Sequence, residues 1–132
     1  MTNSELINIA KSTLRSVLDN PYDSECPTFV VAVLLGKSGK VYTGVNVHWW
    51  HSSCAEQVAI GSAFASGERE FDRIVSVSLG ADGKIYVVTP CGICRQMFAI
   101  HAPNIKVIIK DGNRTVTKSV DDLLPYCYRG EY

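Results

Sequence analysis

Two short segments of the chain contain residue types that can bind a metal ion and move protons. They are Cys54-Ala55-Glu56 and Pro90-Cys91-Gly92-Ile93-Cys94-Arg95-Gln96. Cys91 and Cys94 share one face of a first helical turn, and the partial positive charge at helix N-termini favours thiolates. Cys54, Cys91 and Cys94 are therefore predicted to hold one Zn²⁺ per chain. The fourth tetrahedral position stays open, which is typical of a catalytic zinc.

Glu56 follows Cys54 closely enough to reach the open position without binding the metal. Zinc lowers the pKa of bound water toward about 7, but three thiolates make it a weaker Lewis acid than three imidazoles. A neighbouring carboxylate then takes a proton from the zinc-bound water and passes it to the substrate and the leaving group. Arg95 is expected to offset the negative charge of the trithiolate, since a guanidinium stays protonated.

Both segments fall where the pattern of apolar residues predicts that a helix begins. The predicted elements are a helix at 4–19 with Ser4 as N-cap, strands at 29–35 and 40–47, a helix at 54–66 closed by Gly67, strands at 74–79 and 85–88, a helix at 91–101, a strand at 105–109, and a short helix at 121–124. This order predicts an α/β protein, a three-layer α/β/α sandwich with a mixed sheet of about five strands.

Composition narrows the class of protein further. The chain has 132 residues, 46% hydrophobic and 20% charged, with a formal net charge of zero, which predicts one globular domain over residues 1–132. Lys and Arg do not cluster, so a nucleic-acid partner is not expected. No apolar run approaches the ~18 residues of a membrane span, and the start lacks the pattern of a signal peptide. We therefore expect a cytoplasmic protein with reduced thiols.

Taken together, the two segments resemble the signature of the cytidine deaminase superfamily, in which a Cys or His ligand precedes a Glu that does not bind zinc, and a Pro-Cys-x-x-Cys supplies the remaining ligands. The resemblance extends over nearly the whole chain. It implies a zinc-dependent deaminase domain in which zinc-bound hydroxide attacks the ring carbon bearing the amine. Glu56 then protonates the departing nitrogen, and ammonia leaves. The implied substrates are free nucleosides: cytidine, deoxycytidine or a modified cytosine nucleoside such as blasticidin S.

The resemblance also implies substrate contacts. Thr43-Gly44-Val45-Asn46-Val47 matches the strand that reaches the ribose in small cytidine deaminases, with Asn46 at its end. Phe29 matches the aromatic residue that packs on the base, although as the start of an apolar strand it also fits a plain core position. Ala55 and Thr89 match positions whose backbones contact the base.

The C-terminal segment adds an expectation about assembly. Leu123-Leu124-Pro125 followed by Tyr128 is similar to the family's C-terminal segment, whose aromatic residue enters a neighbouring subunit's site. The family's usual assembly is a homotetramer. Without the resemblance, the tail around Tyr128 has the pattern of a frayed end.

One loop departs from the cytidine deaminase pattern. His48 stands where small cytidine deaminases have a Glu that holds a ribose hydroxyl, so it either binds substrate or packs within the loop. This loop, from Asn46 to Cys54, is shorter than usual in that family and contains Trp49 and Trp50, which either wall the pocket or bury against another subunit. The short loop and the run at 54–63 look more like the blasticidin-S deaminase branch.

The cysteines are also compatible with other functions. A thioredoxin-like redox pair at Cys91 and Cys94 leaves Cys54 and Glu56 without a role. A purely structural zinc, in a module that only binds a partner, requires a fourth ligand such as Cys26 or Cys127. Deaminases of free guanine or of a tRNA adenine require a different pocket, and the tRNA case also requires a basic surface.

Overall fold

A computed structural model describes residues 1–19 and 29–130 of the chain. In chain order the elements are α1 (Asn3–Leu18), β1 (Val30–Gly36), β2 (Val41–Val45), α2 (Ala55–Ala65), β3 (Phe71–Leu79), β4 (Ile85–Val88), α3 (Gly92–His101), β5 (Lys106–Asp111), β6 (Arg114–Ser119) and α4 (Val120–Leu123). The predicted helices at 54–66 and 91–101 are confirmed. In each of them the first cysteine occupies the N-cap position.

The strands form one mixed sheet in the order β2-β1-β3-β5-β6. Neighbouring strands are antiparallel except β3 and β5, which pair in parallel with Ile74 opposite Val107. Beyond that parallel stretch, the same edge of β3 pairs with β4, with Ser76 opposite Val88. The end of β4 therefore brings the Pro90-Cys91 segment back to the middle of the central strand.

The side chains of β1 divide between two layers of helices, as alternation along a strand requires. Val31 and Val33 pack on the face that contacts α1. Ala32 and Leu34 pack on the face that contacts α2 and α3. The predicted three-layer α/β/α arrangement is therefore confirmed, and the continuous apolar run at β1 is explained by burial on both faces.

The helix α1 begins two residues earlier than the position predicted from Ser4. Thr2 is the N-cap: its Oγ1 accepts a hydrogen bond from the Glu5 backbone N–H at 3.1 Å, and the Glu5 carboxylate accepts one from the Thr2 N–H at 2.6 Å. The reciprocal pair is a capping box, so the prediction of Ser4 as the N-cap was wrong.

No helix in the described part of the chain is both long and apolar enough to cross a bilayer.

Within residues 1–19 and 29–130 the sheet has six strands rather than about five, because the pattern of apolar residues did not reveal β6. This strand lies at the edge of the sheet beside β5, with which it pairs antiparallel. Most of its side chains are exposed, with Val116 half-buried. An exposed edge strand requires neither continuous nor alternating apolar residues, and polar or charged side chains on it also discourage pairing with other chains.

Candidate active site

The helix α2 places Cys54 and Glu56 at its N-terminus. Cys54 has an extended backbone, with φ −68° and ψ 151°, which is usual for an N-cap residue. Its backbone N–H donates a hydrogen bond to Gln57 Oε1 at 2.9 Å. Gln57 therefore fixes the first turn from which both Cys54 and Glu56 project.

The position of this turn depends on a close approach of α2 to β2 at Gly44. A Cβ atom at residue 44 would lie 2.3 Å from the Ala55 carbonyl oxygen and 2.4 Å from the Ala59 backbone nitrogen. Both distances are far below van der Waals contact, so a side chain larger than hydrogen at residue 44 displaces the start of α2. The glycine thus sets the distance between α2 and the sheet.

The helix α3 carries the other two cysteines, and Arg95 connects its first turn to two neighbouring segments. Arg95 Nε donates to the Pro90 carbonyl oxygen at 2.8 Å, and Nη1 donates to the Leu123 carbonyl oxygen at 2.8 Å. This guanidinium therefore ties the segment before Cys91 to the C-terminal part of the chain. Charge compensation of the thiolates by Arg95 stays a prediction beside this structural role.

The three sulfur atoms converge although they come from two helices. The Sγ atoms of Cys54, Cys91 and Cys94 all lie within 4.8 Å of one another, and those of Cys54 and Cys91 are 3.8 Å apart. Tetrahedral zinc with Zn–S bonds of about 2.3 Å places its sulfur ligands about 3.8 Å apart. The geometry of the donors therefore fits zinc.

The described residues add no fourth protein ligand to this group. Within residues 1–19 and 29–130, no other His, Cys, Asp or Glu joins the three sulfur atoms. Cys127 instead packs at the border of the apolar cluster around α2 and α3, and Cys26 lies outside the described residues. Three protein ligands with an adjacent cavity are typical of a catalytic zinc site rather than a structural one.

The thiols differ in how readily they ionise. Burial raises the pKa of the Cys54 thiol. Burial, reinforced by the charge of Glu56, raises the pKa of the Cys94 thiol far above its usual range. Burial acts in the same direction on Cys91, but hydrogen bonds from the backbone N–H of Cys94, from Cys54 and from the Ile93 N–H lower the pKa of its thiol. A bound cation is therefore required for all three to be thiolates together.

Glu56 lies beside the sulfur atoms but does not belong to the group. Its side chain is 5% exposed, and Oε2 accepts a contact of 3.5 Å from Cys94 Sγ. The other oxygen, Oε1, accepts a hydrogen bond of 2.7 Å from the Ser76 hydroxyl on β3. The pattern of residues did not single out Ser76, although a serine within the apolar run of a central strand was a usable signal.

A cavity of about 250 Å³ opens next to the cysteines. Most of the predicted site residues line it: Asn46, His48, Cys54, Ala55, Glu56, Thr89 and Cys91. Val30, Val47, Ser52, Ser53 and Val88 complete the lining. The lining therefore combines apolar and polar side chains with Glu56 and two of the three cysteines.

Asn46 is held in place by β1. Its Oδ1 accepts a hydrogen bond of 2.7 Å from the Val30 backbone N–H, and its own N–H donates to the Val30 carbonyl oxygen at 3.2 Å. Because Val30 and Asn46 both line the cavity, these two bonds fix one wall of it.

Two predicted substrate contacts lie away from the cavity of their own chain. Phe29 is 8% exposed and belongs to the apolar cluster beside α1, whereas the adjacent Val30 lines the cavity. Tyr128 is 63% exposed, and its carbonyl oxygen accepts a hydrogen bond from Gln96 Nε2 on α3. The roles of Phe29 on the base and of Tyr128 in a neighbouring subunit stay predictions.

The short loop after Asn46 forms a compact structure that lines the cavity with Val47, His48, Ser52 and Ser53. Val47 and Ser53 exchange two backbone hydrogen bonds of 2.9 Å. Ser52, with φ 48°, donates its hydroxyl to the Trp49 carbonyl oxygen at 2.7 Å. Trp49 is 52% exposed and Trp50 is 99% exposed. Neither indole is among the residues that line the cavity, so the prediction that one of them walls the pocket is not met in the isolated chain.

The proteins that this chain resembles also indicate a zinc-binding site. The family model for the cytidine and deoxycytidylate deaminase zinc-binding region matches residues 7–110. A blasticidin-S deaminase of Bacillus cereus is 35% identical over 106 residues, covering 75% of this chain and 76% of that protein. A cytidine deaminase of Halalkalibacterium halodurans is 34% identical over 107 residues, covering 77% of this chain and 78% of that protein. The crystal structure of a cytidine deaminase from Burkholderia pseudomallei superposes with a TM-score of 0.77 at 30% identity, covering 97% of this chain and all of that one.

The chain therefore belongs to the cytidine and deoxycytidylate deaminase family. Its members are hydrolases that act on carbon–nitrogen bonds, and this chain is an enzyme of that type. The matched zinc-binding region includes Cys54, Cys91 and Cys94, so zinc is the metal of this site.

Proposed function

We propose that this enzyme catalyses the zinc-dependent hydrolytic deamination of a cytosine nucleoside, converting cytidine or deoxycytidine to uridine or deoxyuridine and ammonia. The observation that carries the proposal is the position of Glu56. Its carboxylate is buried, lies 3.5 Å from Cys94 Sγ and lines the cavity, yet it is outside the group of metal ligands. A structural zinc requires no such carboxylate.

The chemistry divides between the metal and Glu56. Zinc bound by the three cysteines supplies a Lewis acid that makes water a nucleophile near neutral pH. Glu56 accepts a proton from the attacking water and delivers it to the exocyclic nitrogen, which leaves as ammonia while the ring carbon keeps the oxygen. Glu56 returns to its starting state, because each proton that it accepts is handed to the product or the leaving group.

The cavity residues orient the nucleoside for this reaction. Ala55 and Thr89, at the start of α2 and after β4, line the cavity together with Glu56, and in this proposal their backbone groups hydrogen-bond the polar edge of the base. Val30 and Val88 offer apolar surface for the flat faces of the ring. The cavity volume of about 250 Å³ fits a nucleoside whose sugar extends toward the open mouth.

A second candidate substrate is blasticidin S or another modified cytosine nucleoside. It is favoured by the loop at the mouth, where His48 lines the cavity and Val47 pairs with Ser53 to close a short hairpin. It is also favoured by the Bacillus cereus relative that is named for this activity. The base chemistry is the same for both candidates, so the loop decides which sugar is accepted.

The decisive experiment follows the loss of ultraviolet absorbance when zinc-loaded protein is mixed with cytidine, deoxycytidine or blasticidin S in parallel. Turnover of cytidine or deoxycytidine supports the proposal and a role in pyrimidine salvage. Turnover of blasticidin S alone supports the second candidate and a role in detoxification. Zinc-loaded protein that deaminates none of the three contradicts both. A cytoplasmic location and a homotetramer are further parts of the proposal, and cell fractionation and light scattering test them.

A further inference from the structure

Ser76 is unusual for its place in the fold. It lies on β3, the central strand, with Val75 and Val77 pointing to the α1 side and Ser76 pointing to the α2 side. Leaving aside tyrosine and cysteine, Glu56 and Ser76 are the polar residues buried within residues 1–19 and 29–130, at 5% and 4% exposure. These two side chains are hydrogen-bonded to each other.

The two oxygens of the Glu56 carboxylate have different contacts. The Ser76 hydroxyl donates to Glu56 Oε1 at 2.7 Å, while Glu56 Oε2 is directed to Cys94 Sγ at 3.5 Å. One carboxylate oxygen is therefore anchored to the rigid centre of the sheet, and the other faces the metal ligands and the cavity. Without the anchor, rotation about the last bond of the Glu56 side chain turns the plane of the carboxylate, so that neither oxygen is held in this orientation.

The burial of Ser76 also needs an explanation. A hydroxyl removed from water destabilises the fold unless it forms a hydrogen bond, and the neighbouring buried positions of β3 are filled by Ile74, Val75 and Val77. An apolar residue at position 76 would pack beside Ile74, on the face of β3 that contacts α2 and α3, without that cost. Glu56 supplies the partner that offsets the burial of the hydroxyl, which indicates that the serine serves the carboxylate.

We propose that Ser76 is a positioning residue, which holds the Glu56 carboxylate in the orientation from which it transfers protons to and from the reacting groups. This proposal rests on the proposed function, in which Glu56 moves protons. Proton transfer requires the carboxylate oxygen to be within hydrogen-bond reach of the reacting atoms, and small misplacements of such a group are costly in rate. Ser76 itself is not among the residues that line the cavity, so in this proposal it acts through Glu56 and not on the substrate directly.

The test compares Ser76→Ala, which removes the hydroxyl, with Ser76→Thr, which keeps it. We expect Ser76→Ala to lower kcat by about 10- to 100-fold, by analogy with the loss of hydrogen-bond partners from the outer shell of metal sites. KM and zinc content are expected to stay at the wild-type values, because the cavity lining and the ligands are unchanged. Ser76→Thr is expected to recover most of the lost kcat.

Val75→Ala is the matched control for a merely structural effect. Val75 immediately precedes Ser76 on β3. It is fully buried and packs on the opposite face of the sheet, against α1. The substitution lowers the melting temperature by leaving a cavity but does not touch Glu56, so kcat is expected to remain at the wild-type value. A Val75→Ala variant as slow as Ser76→Ala, or a Ser76→Ala variant as fast as wild type, overturns the proposal.

Crystal structures of the zinc-loaded wild-type, Ser76→Ala and Ser76→Thr proteins provide a readout that is independent of activity. The Glu56 carboxylate is expected in one orientation in the wild-type and Thr variants, and in a changed or mixed orientation in the Ala variant. The same single orientation in all three contradicts the proposal. Wild-type protein that deaminates no cytosine nucleoside refutes the proposed function instead, and the crystal structures then still decide whether Ser76 orients Glu56.

Discussion

Cys54 Sγ and Cys91 Sγ lie 3.8 Å apart although 37 positions separate them in the chain. Each cysteine is the N-cap residue of its helix, so the distance records how closely the N-termini of α2 and α3 approach each other. Both helix ends direct partial positive charge toward the sulfur atoms. The zinc site is thus a property of the packing of two helices on one sheet, rather than of a single local motif.

The first prediction concerns the ligand set. Cys91→Ser is expected to lower zinc content well below one ion per chain, because a serine hydroxyl does not ionise readily and binds zinc weakly. Metal analysis of purified protein measures this. Cys127→Ser is the control, since Cys127 is half-buried but outside the sulfur group, and it is expected to retain full zinc. Full occupancy in Cys91→Ser would remove Cys91 from the ligand list.

The second prediction separates the metal from the proton carrier. Glu56→Gln keeps the size of the side chain and its ability to accept the Ser76 hydrogen bond, but an amide does not take up the proton of the attacking water. We expect zinc content and melting temperature near those of the wild-type protein and a fall in kcat of at least about a hundredfold. Near-normal turnover of cytosine nucleosides in this variant would be incompatible with the proposed mechanism.

The three cysteine ligands were predictable from the sequence because the signals for the two helix starts that carry them are local. Spacing places Cys91 and Cys94 on one face of a first turn, and the predicted helix starts at 54 and 91 agree with the N-caps in the structure. That α2 and α3 begin side by side is a tertiary fact, and the sequence supported it only through the family resemblance.

The partner of Glu56 could not be predicted in the same way, and for Phe29 the sequence offered both a core position and a position in the pocket. Ser76 is 20 residues from Glu56, and their contact depends on the register between β3 and α2, which no local pattern specifies. Side chains alternate between the two faces of the sheet along β1, and Val31 and Val33 point toward α1. Phe29, just before β1, follows the same alternation and lies on the face opposite Val30. The resemblance had assigned it to the pocket.

The third prediction tests the close approach of α2 to the sheet. Gly44→Ala introduces a Cβ at 2.3 Å from the Ala55 carbonyl oxygen, so either α2 or β2 must shift. We expect a loss of stability of about 1–3 kcal/mol or more, in the range of overpacked cores, together with reduced zinc content because Cys54 moves with α2. Chemical denaturation and metal analysis measure the two effects.

Gly61→Ala is the matched control for that experiment. Gly61 lies within α2 (Ala55–Ala65), and a Cβ there meets no atom within 4 Å. Replacing a helical glycine by alanine is expected to stabilise the protein by roughly 0.5–1 kcal/mol. Equal stability of Gly44→Ala and wild type would show that α2 accommodates the added methyl group, and that the glycine does not set its position.

The fourth prediction concerns removal of the metal. The two apolar clusters on either face of the sheet consist of side chains from helices and strands, and most of them lie away from the cysteines. We therefore expect a strong chelator to abolish turnover while the far-ultraviolet circular dichroism spectrum persists, with a lower melting temperature because bound zinc no longer stabilises the folded state. Added zinc is expected to restore activity. Cys91→Ser, which is expected to bind little zinc, is the control, and a chelator should leave its melting temperature unchanged. Collapse of the wild-type circular dichroism spectrum on chelation would instead identify the zinc as a structural ion.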